Sequence, residues 1–376
     1  RLGFDFWRTL ECTHDYFNSK YYHQDERTPR VWQGYDAIAQ TDEACEFIAD
    51  QGEQPFLLML SWGPPHGPYK APDAYYARFK DKPLKLRENV NDFETAYAMW
   101  RSSDTEIPDR YDSWRLERLE TMKHKENNHR IEHNTKMYYA AVEALDDSMG
   151  RIYQQLKKTG KLDHTIVVFT SDHGDNLGSH RQAGKQLPFE ESISVPFMIR
   201  YPEKIKPGTL TDALLAPIDI MPTLFSLAGI PLHEVDGTDL SAAAMGDDQN
   251  KRDAVLIMKP VISSTNWIIN GNGTWRGVRT KRYTYARNSD TQQPWMLFDN
   301  QQDPFQLHNL VEDPDYADLV RQLDQKTDEL LQVANDPENP QFFADLIRAD
   351  RAELGLEERW EDFIPDRVEP GSEFGF

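Results

Sequence analysis

The chain has 376 residues, 42 basic and 63 acidic side chains, and a formal net charge of -21. A balance this acidic lacks the basic footprint of a nucleic-acid binder. It does not exclude an anionic ligand, because exposed charges are screened beyond about 8 Å at physiological salt and local groups then decide binding.

Two cysteines far apart, Cys12 and Cys45, supply no disulfide framework and read as two partly buried thiols. At about 150 residues per domain the length predicts two or three units.

Near the start, Gly3-Phe4-Asp5 is followed by a polar and aromatic stretch holding Cys12, His14, Tyr16, Tyr21 and Tyr22. Residues 56–61, Phe-Leu-Leu-Met-Leu-Ser, have the composition of a buried strand. The strand runs into Trp62-Gly63-Pro64-Pro65-His66-Gly67-Pro68-Tyr69, a rigid loop presenting one histidine. A charged insertion with scattered aromatics, among them Trp100, Tyr111 and Trp114, occupies residues 84–130. Its rings are read as packed against the domain rather than stacked on a ligand.

Over residues 133–158 the apolar positions Tyr138, Ala141, Leu145, Met149, Ile152 and Leu156 recur at spacings of three and four, which predicts an amphipathic helix ended by Gly160. Asp146 and Asp147 within it read as a solvated or packing-related pair, not as catalytic carboxylates.

Residues 165–170, Thr-Ile-Val-Val-Phe-Thr, predict a strand covered on both faces. It delivers Ser171-Asp172-His173-Gly174-Asp175 at its carboxyl end, where open α/β sheets bind ligands. Asp172 and His173 are adjacent oxygen and nitrogen donors suited to a metal, and Gly174 lets the backbone turn tightly beside them. His180, Arg181 and Lys185 follow, and Lys185 is placed to hold an anion such as sulfate or phosphate. With His66, these three are the candidate ligand-binding groups.

The longest apolar stretch, residues 213–232, contains Asp219 and three prolines, so no membrane span is predicted. Beyond residue 335 the chain is acidic and proline-punctuated, with a helix over residues 342–360 and a tail from Pro365.

The run 170–175, then Leu177-Gly178-Ser179-His180, Lys185 and Glu190-Glu191, resembles the second signature region of the type I sulfatases, in the alkaline-phosphatase-like superfamily. The proline-flanked His66, the helix Asp219-Ile220-Met221-Pro222-Thr223-Leu224, and the segments 276–280, 297–299 and 303–310 resemble the same family in the same order. The resemblance covers the chain from Gly3 to about Leu331.

It implies an α/β fold: an alkaline-phosphatase-like α/β/α sandwich with a mixed central sheet, its N-terminal strands missing, plus a smaller C-terminal antiparallel sheet with a helix. The implied divisions are 1–250 for the catalytic domain, 251–335 for the smaller subdomain and 336–376 for an acidic helix and tail. Carried over, the family's chemistry makes Asp172 and His173 ligands of one Ca2+. Lys185 binds a sulfate oxygen, and His66 contacts the sulfate and protonates the leaving alcohol; an imidazole, with an ordinary pKa of about 6.5, can donate near neutrality. His14 lies where carbohydrate sulfatases have a sugar-facing loop.

The family nucleophile is a formylglycine made from Cys or Ser in Cys-x-Pro-x-Arg, and neither Cys12 nor Cys45 has that setting. The formylglycine is therefore expected upstream of residue 1, together with further calcium ligands, so that this chain alone is inactive and binds calcium weakly. The expected substrate is a sulfated polysaccharide or oligosaccharide, the expected location periplasmic or extracellular, and a further module at either end is compatible with the sequence. A phosphodiesterase or phosphonate monoester hydrolase of the same superfamily is the second reading. A non-catalytic glycan-binding module is the third.

Overall fold

A computed structural model describes residues 3–10, 14–92, 128–247, 252–260, 274–289 and 291–338. Most of the charged insertion, the segment around Cys12 and the predicted C-terminal helix and tail lie outside the described residues. The described residues divide into two units, one lying within residues 1–86 and 126–165, the other within residues 87–125 and 166–369.

In the first unit, β1 (Arg8–Leu10), β2 (Lys20–His23) and β3 (Arg30–Val31) form a small antiparallel sheet in that order. Two helices carry the core. In α1 (Asp36–Asp50), Ala37, Gln40, Thr41, Ala44 and Ile48 are buried at spacings of three and four. α2 is the single turn Asp73–Tyr76, and α3 (Asn128–Lys158) buries Ala140, Ala141, Ala144, Leu145, Ile152 and Leu156. The small side chains Ala37 and Ala144 meet in one cluster with Tyr16, Tyr35 and Leu145. Asp147 takes the Tyr75 hydroxyl at 2.9 Å, a packing role, and Gly160 follows α3 at φ +72.

Residues 56–61 depart from expectation. They belong to no ladder among the described residues, and Leu57 and Met59 are 74% and 73% exposed. Phe56, Leu58 and Leu60 alternate with them and are half-buried, with Phe56 edge-on to Phe47 of α1. The run is buried on one side only, because apolar composition does not report whether the second face has a cover.

In the second unit, β4 (Val167–Thr170) pairs antiparallel with β5 (Phe197–Arg200), Val167 opposite Arg200 and Thr170 opposite Phe197. β4 was expected to be covered on both faces and is instead half-buried, with an exposed last residue. The mixed central sheet is likewise not among the described ladders, which form three antiparallel sheets of three, two and four strands.

A single turn, α4 (Glu190–Ile193), lies between β4 and β5. The Asp-x-x-Pro-Thr-Leu segment forms a 3-10 turn, Pro217–Asp219, running into α5 (Ile220–Ala228), and Gly229 closes it in the left-handed conformation. Asp219 is fully buried and gripped by Arg252 at 2.5 and 2.9 Å and by the Ala216 and Thr238 N–H groups.

After α6 (Ser241–Ala244), strands β6 (Ala254–Lys259), β7 (Trp275–Thr280), β8 (Tyr283–Asn288) and β9 (Pro294–Asp299) form an antiparallel sheet in sequence order. It is the predicted C-terminal sheet. Val278, Tyr285 and Leu297 pack on Val320 and Leu323 of α7 (Ala317–Ala334), while Trp275, Met296 and Phe298 pack on Leu187 and Phe189. The sheet therefore supports the segment that leads out of the Lys185 loop.

Candidate active-site loops

The candidate residues fall in two loop clusters, one in each unit. In the first unit the loop around His66 is held by tyrosines. Tyr16, 1% exposed, donates its hydroxyl to the His66 carbonyl at 2.6 Å, and Tyr35 donates to the Lys70 carbonyl at 2.9 Å. Gly63 makes room for this clamp, since a Cβ there would stand 3.0 Å from the Tyr16 ring.

Burial pushes the Tyr16 and Tyr35 hydroxyls well above their ordinary value, and the nearby Asp36 carboxylate adds to it, so both remain donors. Asp36 is fully buried and accepts from Ser19 Oγ at 2.7 Å. Burial raises its own pKa, against the lowering effect of that bond and of the Ala37 N–H, with the Asp15 charge adding to the rise.

His66 Nδ1 lies 2.6 Å from the Gly67 carbonyl oxygen. A carbonyl only accepts, so Nδ1 carries a proton there and Nε2 is the nitrogen that can gain or give one. The His14 ring stacks on His66 at 4.3 Å and 8°. The two predicted contacts of this unit are thus brought together.

In the second unit β4 ends at Thr170 and the chain turns sharply. Ser171 Oγ donates to the His173 carbonyl at 2.8 Å, and the His173 N–H donates to Asp172 Oδ1 at 2.9 Å. His173 Nδ1 is 2.7 Å from the Gly174 carbonyl, which fixes the proton on Nδ1 and leaves Nε2 as a lone-pair donor. That Nε2 and Asp172 Oδ2 are 3.4 Å apart. Two ligands at right angles on a cation with bonds of about 2.4 Å have this spacing, so the pair fits one edge of a calcium-sized site. Among the described residues no group of three or more His, Cys, Asp or Glu is placed to hold a metal. Gly174 is required by space, because a Cβ would collide with the Glu191 carbonyl.

Lys185 stands between two pinned peptides. The carbonyl of Gly184 accepts from the backbone N–H of Asn176 at 2.7 Å and from its side-chain amide at 3.1 Å. The carbonyl of Gln186 accepts from Trp275 Nε1 at 2.9 Å.

His180 and Arg181, expected as substrate contacts, are placed differently. His180 is fully buried, stacked on Phe189 at 3.9 Å, with Nδ1 on Asp92 at 2.8 Å and Nε2 on Asn89 at 3.1 Å. Both ring nitrogens are engaged by protein groups, so in this arrangement the ring serves packing. Arg181 is 8% exposed and donates to Asn91 at 3.0 Å, and burial pushes its guanidinium below the ordinary arginine value. The segment 89–92 that supplies these partners carries no motif. Neither do Tyr16, Asn176, Ser192 or Trp275, which hold the loops.

Residues 1–230 match the family model described as sulfatase, and residues 178–333 match the one described as N-sulphoglucosamine sulphohydrolase, C-terminal. The chain belongs to the sulfatase family. It is similar to an ulvan-active sulfatase from Formosa agariphila, 32% identical over 344 residues, which cover 89% of this chain and 60% of that protein. It is also similar to an endo-4-O-sulfatase from Bacteroides thetaiotaomicron, 27% identical, with 93% and 66% covered. The chain therefore spans about three fifths to two thirds of the length of these relatives.

Among solved structures, BT4656 in complex with its substrate D-glucosamine-2-N,6-O-disulfate superposes with a TM-score of 0.76 at 24% identity, covering 90% of this chain and 78% of that one. This likeness establishes a sulfatase-like α/β fold. No helix among the described residues is long and apolar enough to cross a membrane.

Proposed function

We propose that this sulfatase-family chain is part of an enzyme that hydrolyses sulfate esters of a sulfated polysaccharide or oligosaccharide outside the cytoplasm. The observation that carries the reading is the second-unit loop. There a turn presenting an oxygen and a nitrogen donor, at the end of a strand, is tied by hydrogen bonds to the peptide that precedes a lysine. Two relatives whose names state action on ulvan and a 4-O-sulfate support the substrate class.

In this reading Lys185 pairs with a non-bridging sulfate oxygen and Asp172 with His173 contributes one edge of a calcium site. The bound ion supplies Lewis-acid polarisation of the sulfate. As the bond from sulfur to the alkoxy oxygen breaks, that oxygen gathers negative charge, and His66 passes it the proton on Nε2. The carbonyl clamp from Tyr16 and the His14 ring against one face hold the imidazole in place. His14 is then a neighbour of the leaving sugar. In this reading the attacking group is a formylglycine made from a Cys or Ser, and neither Cys12 nor Cys45 has the sequence setting for it.

The test uses the native full-length protein on 4-nitrophenyl sulfate, on an aryl phosphodiester and on sulfated glycans. Lys185→Ala is expected to lower kcat/KM for sulfate esters by about 100- to 1,000-fold with an unchanged melting temperature. His66→Ala is expected to harm glycan sulfates far more than the activated aryl ester, whose leaving group needs little protonation. Unchanged turnover in Lys185→Ala, or a wild-type preference for the phosphodiester, overturns the reading.

A further inference from the structure

The residues on either side of Lys185 are held in an unusual way. Gln186 has a φ of +84, a left-handed conformation that a residue with a Cβ adopts only when its surroundings impose it. Four bonds impose it. The Gln186 N–H reaches Ser192 Oγ at 3.2 Å, its carbonyl takes the Trp275 indole N–H at 2.9 Å, and the preceding Gly184 carbonyl takes both N–H donors of Asn176.

One of these partners, Ser192, also holds the Asp172–His173 turn, and another, Asn176, follows that turn directly in the chain. Ser192 accepts the Gly174 N–H on its backbone oxygen at 2.9 Å while its side-chain oxygen accepts the Gln186 N–H. Asn176 is only three residues beyond His173 in the chain and is 1% exposed; Ser192 is 4% exposed. One residue on each side of Lys185 is thereby fixed to the same short stretch that carries the metal donors.

We propose that Ser192 and Asn176, with Trp275 behind them, are positioning residues that set the distance between the Lys185 ammonium and the Asp172–His173 pair. The inference rests on the sulfatase reading of Lys185 and goes beyond it, because none of the three residues touches substrate. A sulfate gripped by a cation on one side and a lysine on the other is stabilised in the transition state only if the two are held at a fixed separation, and an error of about 1 Å costs about 100-fold in rate. Lysine itself is a flexible point charge on a four-carbon stem, so the precision has to come from its backbone. Phe189, on which His180 stacks, belongs to the same buried cluster as Trp275.

The experiment is a double-mutant cycle in the full-length enzyme with 4-nitrophenyl sulfate. Ser192→Ala removes one buried oxygen and leaves the backbone bond to Gly174 intact. It is expected to lower kcat/KM about 10-fold, mostly in kcat, and Asn176→Ala about 10- to 100-fold. Made in a Lys185→Ala background, each change is expected to alter the residual rate less than about twofold, because a residue that acts only through Lys185 has nothing left to position. Trp275→Phe removes the Gln186 contact together with part of the ring's packing on Leu187 and Phe189, so Ser192→Ala, which deletes a single oxygen, keeps the inference testable if Asn176→Ala or Trp275→Phe fails to fold.

Single variants within twofold of wild type beside a crippled Lys185→Ala overturn this inference alone. Losses that repeat in full in the Lys185→Ala background also overturn it, by showing a general structural effect. Wild-type turnover in Lys185→Ala itself removes the sulfatase reading and the positioning role together.

Discussion

An alanine at position 174 places a methyl group against the Glu191 carbonyl oxygen, well inside contact distance, and 3.0 Å from the carbonyl carbon. Carbon and oxygen atoms normally approach no closer than about 3.3 Å, so the turn and the start of α4 have to part by more than about 1 Å. The Gly174 N–H bond to Ser192, at 2.9 Å, does not survive that movement.

Overpacking at such a site costs about 1–3 kcal/mol and the lost hydrogen bond about 1 kcal/mol. Reduced freedom of the unfolded chain returns about 0.5–1 kcal/mol. The net destabilisation is about 1–3.5 kcal/mol, read as a lower urea midpoint at constant slope. Because the same movement shifts the Asp172–His173 pair relative to Lys185, kcat/KM on a sulfate ester is expected to fall about 100-fold. A Gly174→Ala protein with a wild-type midpoint would refute the close approach of these two segments.

Arg276 is fully buried and forms a two-pronged pair with Asp336 at 2.7 and 3.0 Å, so Arg276→Met strands a buried carboxylate and is expected to cost about 3–5 kcal/mol in denaturation. Adding Asp336→Leu should recover most of that loss, and no recovery would deny that the cost is the orphaned charge. Acid should loosen the second unit.

Three carboxyls there are held below the ordinary aspartate value of 3.8: Asp219 and Asp336, where burial opposes but Arg252, Arg276 and backbone N–H groups prevail, and Asp299, where Arg282 acts first. Their contribution is present above that value and is lost as pH falls through the lower folded values. A melting temperature unchanged from pH 5 to pH 3 would count against it. Asp36, raised by burial, runs the other way, its contribution declining as pH rises through the raised value. Asp36→Asn should therefore remove the part of the loss of thermal stability that sets in as pH rises above the ordinary aspartate value of 3.8.

Local patterns in the sequence were legible where one stretch of chain decides its own structure. The spacing of Ala141, Leu145, Ile152 and Leu156 anticipated the buried face of α3, and the apolar run before Asp172 anticipated a strand feeding a polar turn. The same runs did not reveal how many faces are covered. Residues 56–61 and β4 have the composition of two-sided strands and are one-sided or half-buried, because coverage depends on other parts of the chain.

His180 shows the same limit at a single residue. Its neighbours Gly178 and Arg181 suggest an exposed polar loop, yet its partners Asn89 and Asp92 lie 91 and 88 residues away. Ser192 and Asn176 were illegible for a further reason. What matters in them is which backbone groups they meet, and side-chain chemistry alone does not announce that.

The burial of His180 has a practical consequence for reading genetics in this gene. A screen that scores only loss of activity would place substitutions at His180 beside those at Lys185, although the first empties a stacked, doubly hydrogen-bonded core position and the second removes a charge at a loop. Abundance in the cell separates them. Variants at His180 should be depleted as protein by proteolysis of the opened state, whereas variants at Lys185 should accumulate normally and be inert.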